Sequence, residues 1–387
     1  MTETTQDQDV ISKSIEEHLD RLLAFEATTL PVISLYLNTQ ADKHGRDHFE
    51  QFVRKELQSQ GRTFPAGSPE RASFDADVAK IESYLKDSLD ASANGVAIFA
   101  CNGAGLFEAV QLNAGLDEHR LYVYNQPHLY HLARLEDEYP RYAALLTDAN
   151  SARIFVFGLG QTLESEQVKG KKVQRVKVGG WSQARYQRRV ENAHQNHAKE
   201  LVAALDRIVT HESVGHVILA GDTQIMTAVQ QELPKHLASK VVDVLKLDLK
   251  ATDKAVFEAT FQRMREEDAK TDAEIVARLM REYRARGLAV VGVQDTLEAL
   301  ANGQVDRVLI STGLESAYGE ETQIEAVLAP EIPDSQGGTD SDEPRSVLLA
   351  DLLVTKAKQT DASVSFIQDP QLLADFDGVG AFLRWRS

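Results

Sequence analysis

One cysteine in 387 residues excludes an intrachain disulfide and any zinc site built on thiolates. That thiol, Cys101, reads as a small buried hydrophobe. No apolar run approaches the length that spans a bilayer. The opening MTETTQDQDVISKSIEEH lacks the basic and apolar regions of a signal peptide. No membrane partner and a cytoplasmic location are therefore expected. Cofactor motifs are missing as well. His194 and His197, with Glu191 and Glu200, have helical spacing but not the H-E-x-x-H pattern, and they read as part of a solvated or RNA-facing helix. GLGQTLES (Gly158–Ser165) has too few glycines for a dinucleotide loop. Asp148 would suit a nuclease carboxylate, yet spacing fixes no second one. The expectation is no metal and no cofactor.

Basic residues are scarce, with 42 Lys and Arg against 59 Asp and Glu, a net charge of −17. Their distribution is uneven. Lys169–Arg189 reads KGKKVQRVKVGGWSQARYQRR, with eight Lys or Arg and no acid, so the remaining residues sum to −25. An acidic chain with one strongly cationic segment points to a polyanion engaged at one place. At the centre of the segment stand Gly179, Gly180, Trp181, Ser182 and Gln183. A glycine pair is by itself most simply a turn, and a basic run most simply a solvated face. Trp181 could equally pack against its own domain.

The order of elements predicts an α/β protein of three domains, residues 1–138, 139–250 and 251–387. In the first, Val10, Ile11, Ile15, Leu19, Leu22 and Leu23 recur at helical spacing. VISLYLN (Val32–Asn38) reads as a strand and helices are expected near Phe49–Leu57 and Phe74–Leu89. Gly95–Cys101, Gly105–Leu112 and Arg120–Asn125 read as a meander. In the second, strands are expected at Tyr142–Ala149, Ala152–Gly158 and Thr162–Val168, then a helix from Ala184 to about Thr210. Strand His216–Gly221, a helix near Thr223–Leu237 and strand Val241–Leu247 follow, a mixed sheet of RNase H-like type. In the third, a helix from Thr271 or Asp272 to Arg286 with Gly287 as C′ residue precedes strand Leu288–Val293. Asp295 is placed to cap helix Thr296–Asn302, which Gly303 closes, and Arg307–Thr312 is the next strand. Pro330–Arg345 has loop composition. Helix Val347–Lys358, strand Ser363–Ile367 and a closing Phe382–Trp385 complete an α/β/α sandwich.

GVQDTLEALANGQVDRVLIST (Gly292–Thr312) and VSFIQDPQLLADFDGVGAFLRW (Val364–Trp385) resemble the last domain of archaeal and eukaryotic class-1 release factors. The basic segment with Gly179 and Gly180 stands where that family carries its Gly-Gly-Gln loop. The spelling GGWSQ inserts two residues into that motif. It places the chain nearer the quality-control peptidyl-tRNA hydrolases of stalled large subunits and the bacterial branch, which has Pelota-type rescue factors and Balon-type hibernation factors among its relatives. The first domain shows no close match to the patterns by which family members read stop codons.

The resemblance implies three domains, entry into the ribosomal A site or onto the large subunit, and contact with peptidyl-tRNA and rRNA, most simply as a monomer. It assigns Gln183 as the group that orients water for attack on the peptidyl-tRNA ester, with Gly179 and Gly180 giving the backbone close access. Lys171, Lys172, Arg175, Lys177, Arg185, Arg188 and Arg189 would grip RNA phosphates, and Trp181 and Tyr186 would stack on bases. A non-enzymatic A-site-binding factor, a nuclease cutting the tRNA end and a domain that meets an acidic protein remain alternatives.

Overall fold

The computed structural model describes residues 15–40, 49–91, 93–112, 114–149, 151–158, 161–169, 183–212, 214–314 and 345–386. Three separate sheets stand in sequence order, and helices cover them. Spatial proximity groups the chain into two compact units, Met1–Glu138 with Thr271–Ser387, and Tyr139–Lys270. The Pro330–Arg345 loop and residues Val10 and Ile11 lie outside the described residues, apart from Arg345. Among the described residues no helix is long and apolar enough to cross a membrane.

The first sheet is built from β1 (Val32–Asn38), β2 (Gly95–Cys101), β3 (Leu106–Leu112) and β4 (Arg120–Tyr124), in the order β3-β2-β1-β4. All its pairs are antiparallel. The expected meander is therefore a hairpin of β2 and β3, with β4 carried across to pair with β1. Alternation along the strands sends Ile33, Leu35, Leu37, Val96, Ile98 and Ala100 to one face. There they meet Phe49, Val53 and Leu57 of α2 (Phe49–Gly61) and Phe74 and Ile81 of α3 (Pro69–Asp87). Helix α1 (Ile15–Leu23) precedes β1. Cys101 is fully buried, as its reading as a small hydrophobe requires.

The second unit holds β5 (Tyr142–Thr147), β6 (Ser151–Gly158), β7 (Gln161–Lys169), β8 (His216–Gly221) and β9 (Val241–Leu245), in the order β7-β6-β5-β8-β9. The first three are antiparallel, while β8 runs parallel to β5 and β9 parallel to β8. This is the mixed, RNase H-like sheet. Its two faces are filled by alternate residues. Ala143, Leu145, Ile154, Val156, Val217 and Leu219 pack on α5 (Gln183–His211) and α6 (Thr223–Glu232). Tyr142, Ala144, Leu146, Phe155, Phe157, Ile218 and Ala220 pack on Val256 and Met264 of α8 (Asp253–Arg284). Pro234 stops the expected Thr223–Leu237 helix by capping a short α7 (Lys235–Ala238).

Helix α8 begins at Asp253, well before the expected Thr271, because its charged first half still offers apolar residues to the middle sheet. At its end the left-handed residue is Arg286 at φ 55°, and Gly287 N donates to Glu282 O at 2.8 Å. The third sheet follows, with β10 (Ala289–Val291), β11 (Val305–Ser311), β12 (Ser363–Ile367) and β13 (Val379–Leu383) in the order β10-β13-β11-β12. Val276 and Leu279 of α8 cover one face. Helices α9 (Val293–Ala301) and α10 (Arg345–Gln359) contact the sheet and each other, giving the α/β/α sandwich. Gly292, at φ 87°, takes the N-cap of α9, so Asp295 lies inside the first turn rather than capping it.

The first and third sheets are joined through α4 (Tyr130–Glu138). Asp351 of α10 accepts from Leu129 N at 2.6 Å and Tyr130 N at 3.0 Å, the first donors of α4, across 222 and 221 residues. A helix start has no internal partners for such donors, and its dipole favours a carboxylate there. His128 Nδ1 lies 2.8 Å from the same carboxylate oxygen. His128 is held in turn by Ser34 Oγ on its N–H at 2.9 Å and by the Tyr36 hydroxyl on its carbonyl at 2.7 Å. Burial first, then the Asp351 charge, holds the Tyr36 hydroxyl well above its usual range. At the other end of α4, Asp137 Oδ2 accepts from Phe366 N of β12 at 3.0 Å.

These carboxylates set the stability of the unit. Asp351→Ala leaves the two buried N–H donors at the start of α4 without a partner, so it should cost on the order of 1–3 kcal/mol, read as a shift in urea unfolding of the first unit. Asp351→Asn should cost less, since an amide oxygen still accepts both N–H groups. An alanine variant as stable as the parent would contradict the coupling. Asp77 is wholly buried, with Oδ1 unpartnered among the described residues and Oδ2 accepting from Asn102 N at 2.9 Å. Burial pushes its carboxyl up to about 6. A raised carboxyl stabilises the fold fully below its unfolded value and loses that contribution as pH climbs through about 6. Asp77→Asn should therefore gain on the parent from pH 4 to 7, by on the order of 2–3 kcal/mol, in melting curves across that range.

Candidate functional site

The cationic segment joins an outer strand to a long helix. β7 ends at Lys169 on the edge of the middle sheet, and α5 begins at Gln183. Helix α5 runs for 29 residues because no glycine or proline interrupts it. Ala198, Leu201, Val202, Leu205, Ile208 and Val209 supply its apolar stripe at i, i+3, i+4 spacing. Leu163 and Val168 of β7 pack against the same cluster. Both roots of the segment are thus anchored in one core. Arg207 of α5 also holds Glu166 of β7 with hydrogen bonds of 2.8 and 2.6 Å.

Lys171, Lys172, Arg175, Lys177, Gly179, Gly180 and Trp181 lie outside the described residues. Gln183 is the first residue of α5, where the helix dipole presents partial positive charge. Arg185, Tyr186, Arg188 and Arg189 fall in its first two turns, and the spacing of Arg185, Arg188 and Arg189 puts their positions on one helix face. Charge separates by segment. Residues 139–270 carry 20 Lys and Arg against 16 Asp and Glu, while the rest of the chain carries 22 against 43. The excess of cations belongs to the middle domain alone.

Farther along α5 the structure corrects the sequence reading. His197 does not face solvent; it is 5% exposed, and neither ring nitrogen has a hydrogen-bond partner among the described residues. Its burial holds the imidazole pKa below the usual value, against the charges of Glu200 and Asp148, with His194 adding to the lowering. The imidazole is therefore neutral at pH 7. Asp148 follows β5, its Oδ1 accepting from Ser151 N at 2.8 Å to shape the turn into β6. A second aspartate, missed in the sequence, follows the parallel neighbour. Asp222 comes directly after β8, and its N–H donates to Thr147 O at 3.2 Å. The signal was present, since YAALLTD and HVILAGD are both apolar strands closing on aspartate. Among the described residues no three His, Cys, Asp or Glu side chains stand together so as to hold a metal ion.

Two family models match adjoining parts of the chain. Residues 127–265 match Bacterial archaeo-eukaryotic release factor family 10, and residues 269–387 match eRF1 domain 3. Eukaryotic peptide chain release factor subunit 1 of Saccharomyces cerevisiae is 25% identical over 238 residues, 54% of this chain. The match spans about half of that relative, 53% of its length. Among solved structures, archaeal translation termination factor aRF1 is 15% identical with a TM-score of 0.26, covering 96% of this chain and 97% of that one. S. cerevisiae Dom34, described as a translation termination-like factor involved in RNA quality control pathways and interacting with Hbs1, is 8% identical with a TM-score of 0.42, covering 76% and 79%. At such scores the structural likeness adds nothing to the strand orders given above. The matched middle domain carries the cationic segment, the matched last domain forms the α/β/α sandwich, and over these two stretches, residues 127–265 and 269–387, the chain is release factor-like, of the archaeo-eukaryotic superfamily in its bacterial branch.

Proposed function

We propose that the protein is a ribosome-associated peptidyl-tRNA hydrolase that frees nascent chains from stalled ribosomes or large subunits. The observation that carries this reading is the cationic segment opening onto Gln183 at the N-terminus of α5, within the domain that matches the bacterial release factor family. The yeast relative named above is by its own name a peptide chain release factor.

The chemistry asks little of the protein. The ribosome holds the ester, and what is missing is a placed water and relief for a developing oxyanion. Gly179 and Gly180 allow the backbone to approach the tRNA end. The Gln183 amide is neutral at every physiological pH and can both donate and accept, so it orients water without titrating. Partial positive charge at the start of α5 favours negative charge forming beside it. Lys171, Lys172, Arg175, Lys177, Arg185, Arg188 and Arg189 neutralise rRNA and tRNA phosphates, while Trp181 and Tyr186 offer stacking surfaces. The acidic remainder of the chain discourages RNA contact elsewhere.

Purified stalled complexes provide the test. Wild-type protein should release peptide, and Gln183→Ala should lower the release rate by about a hundredfold or more while still pelleting with ribosomes. Release by Gln183→Ala at the parental rate would refute the glutamine's role. Pelleting with no release by either protein would show a factor that occupies the A site without chemistry. Denaturing gels should show tRNA of unchanged length, and a shortened tRNA would show cleavage of the nucleic acid instead of the ester.

A further inference from the structure

Where α8 ends and β10 begins, the surface of the last domain departs from that of the unit around it. Among the described residues four large hydrophobics are exposed, and two of them, Leu288 at 42% and Trp385 at 49%, belong to this corner. Leu383 N donates to Leu288 O at 3.0 Å, and the Arg386 guanidinium donates to Arg286 O at 2.8 Å and to Gly287 O at 3.1 Å. The chain on both sides of Trp385 is thus tied to residues 286–288. Leu288 also lines a cleft of about 230 Å³, whose other apolar walls are Ile275 of α8 and Phe382 and Leu383 of β13. Arg278 and Arg307 line it too, and the Arg278 guanidinium lies 4.9 Å from the centre of the Phe382 ring.

The corner is also cationic. Residues 278–286 and 384–386 hold six arginines and one acid, Glu282, whereas the chain outside the middle domain carries 43 acids against 22 Lys and Arg. Arg278 and Arg281, neighbours at i, i+3 on α8, have no ion-pair partner among the described residues. Two acids share the cleft, Glu282 and Asp306, and Arg384 pairs with Asp306 at 4.0 Å. An apolar patch rimmed by charge marks a surface that meets protein, and unpaired arginines beside it call for carboxylates. A phosphate backbone would leave the apolar walls unfilled and would face Glu282 and Asp306, so the chemistry favours a peptide over RNA. We propose that this corner binds an acidic peptide segment of a partner protein. One large apolar side chain of that segment enters the cleft, and its carboxylates meet Arg278, Arg281 and Arg307. Leu288 and Trp385 shield the inserted side chain from water.

A random-peptide phage library is panned against the immobilised full-length chain. The Leu288→Asp, Trp385→Ala double variant, in solution as competitor, absorbs peptides held elsewhere, the cationic segment included. Enriched peptides should combine several carboxylates with a large apolar residue. The most enriched one, synthesised with a fluorescent label, should bind the parent and weaken by about tenfold or more in Trp385→Ala and in Arg278→Glu. Both residues are exposed, and circular dichroism checks the fold of each variant. Trp385→Ala decides the matter if Arg278→Glu misfolds. No enrichment, enriched peptides lacking the acids or the apolar residue, or affinity unchanged in Trp385→Ala would overturn the proposal. So would a labelled oligouridylate bound by the parent and lost from the same variants, which marks an RNA surface. A dimer in sedimentation equilibrium that these variants dissociate would overturn it too, as a contact between two copies. No readout needs a ribosome, so failure here is distinguishable from failure of the peptide-release reading.

Discussion

The carboxylate of Asp351 holds together a unit whose two parts are far apart in sequence. It caps α4 at Leu129 and Tyr130 and sits against His128. Through Ser34 and Tyr36 the same network reaches the first sheet. A carboxylate with this burial persists only when its partners are all in place. The consequence is that residues preceding the middle domain and residues following it fold against one another. The middle domain then stands as an insertion with its own two-faced core.

That division of labour matches the division of charge. The unit built on Asp351 is strongly acidic, and the inserted domain carries the excess of Lys and Arg. A chain so divided favours approach to a polyanion through its cationic segment, since the acidic parts are repelled. The roots of that segment, β7 and α5, share a hydrophobic cluster in which Leu163, Val168, Leu201 and Leu205 meet. Such stiff anchorage would suit the proposed entry of the segment into a pocket of nucleotides.

Much of this was legible in the residues. The apolar runs at Val32–Asn38, Gly95–Cys101, His216–Gly221 and Ser363–Ile367 coincide with strands of the same bounds. The cationic segment stood out because the chain around it is acidic. Pairing was less accessible. β4 crosses to β1 because a non-local pairing wins over the adjacent hairpin, and strand spacing carries no trace of that choice. The first half of α8 escaped notice because it is densely charged, with Val256 and Met264 among the few residues that mark its buried face. His197 looked solvated for a similar reason. A histidine among Gln, Asn and Lys reads as surface, whereas its place at i−4 to Leu201 puts it on the apolar stripe.

The central claim is that one cationic segment docks the protein on the ribosome by neutralising phosphates, and the salt dependence of that docking tests it most directly. Ribosome affinity measured by pelleting across a range of KCl should fall steeply. The slope of log affinity against log salt should become shallower in a Lys171→Glu, Lys172→Glu, Arg175→Glu variant, by roughly 0.7–0.9 for each phosphate no longer neutralised. Affinity indifferent to salt, or a triple variant that binds like the parent at every salt concentration, would contradict the account.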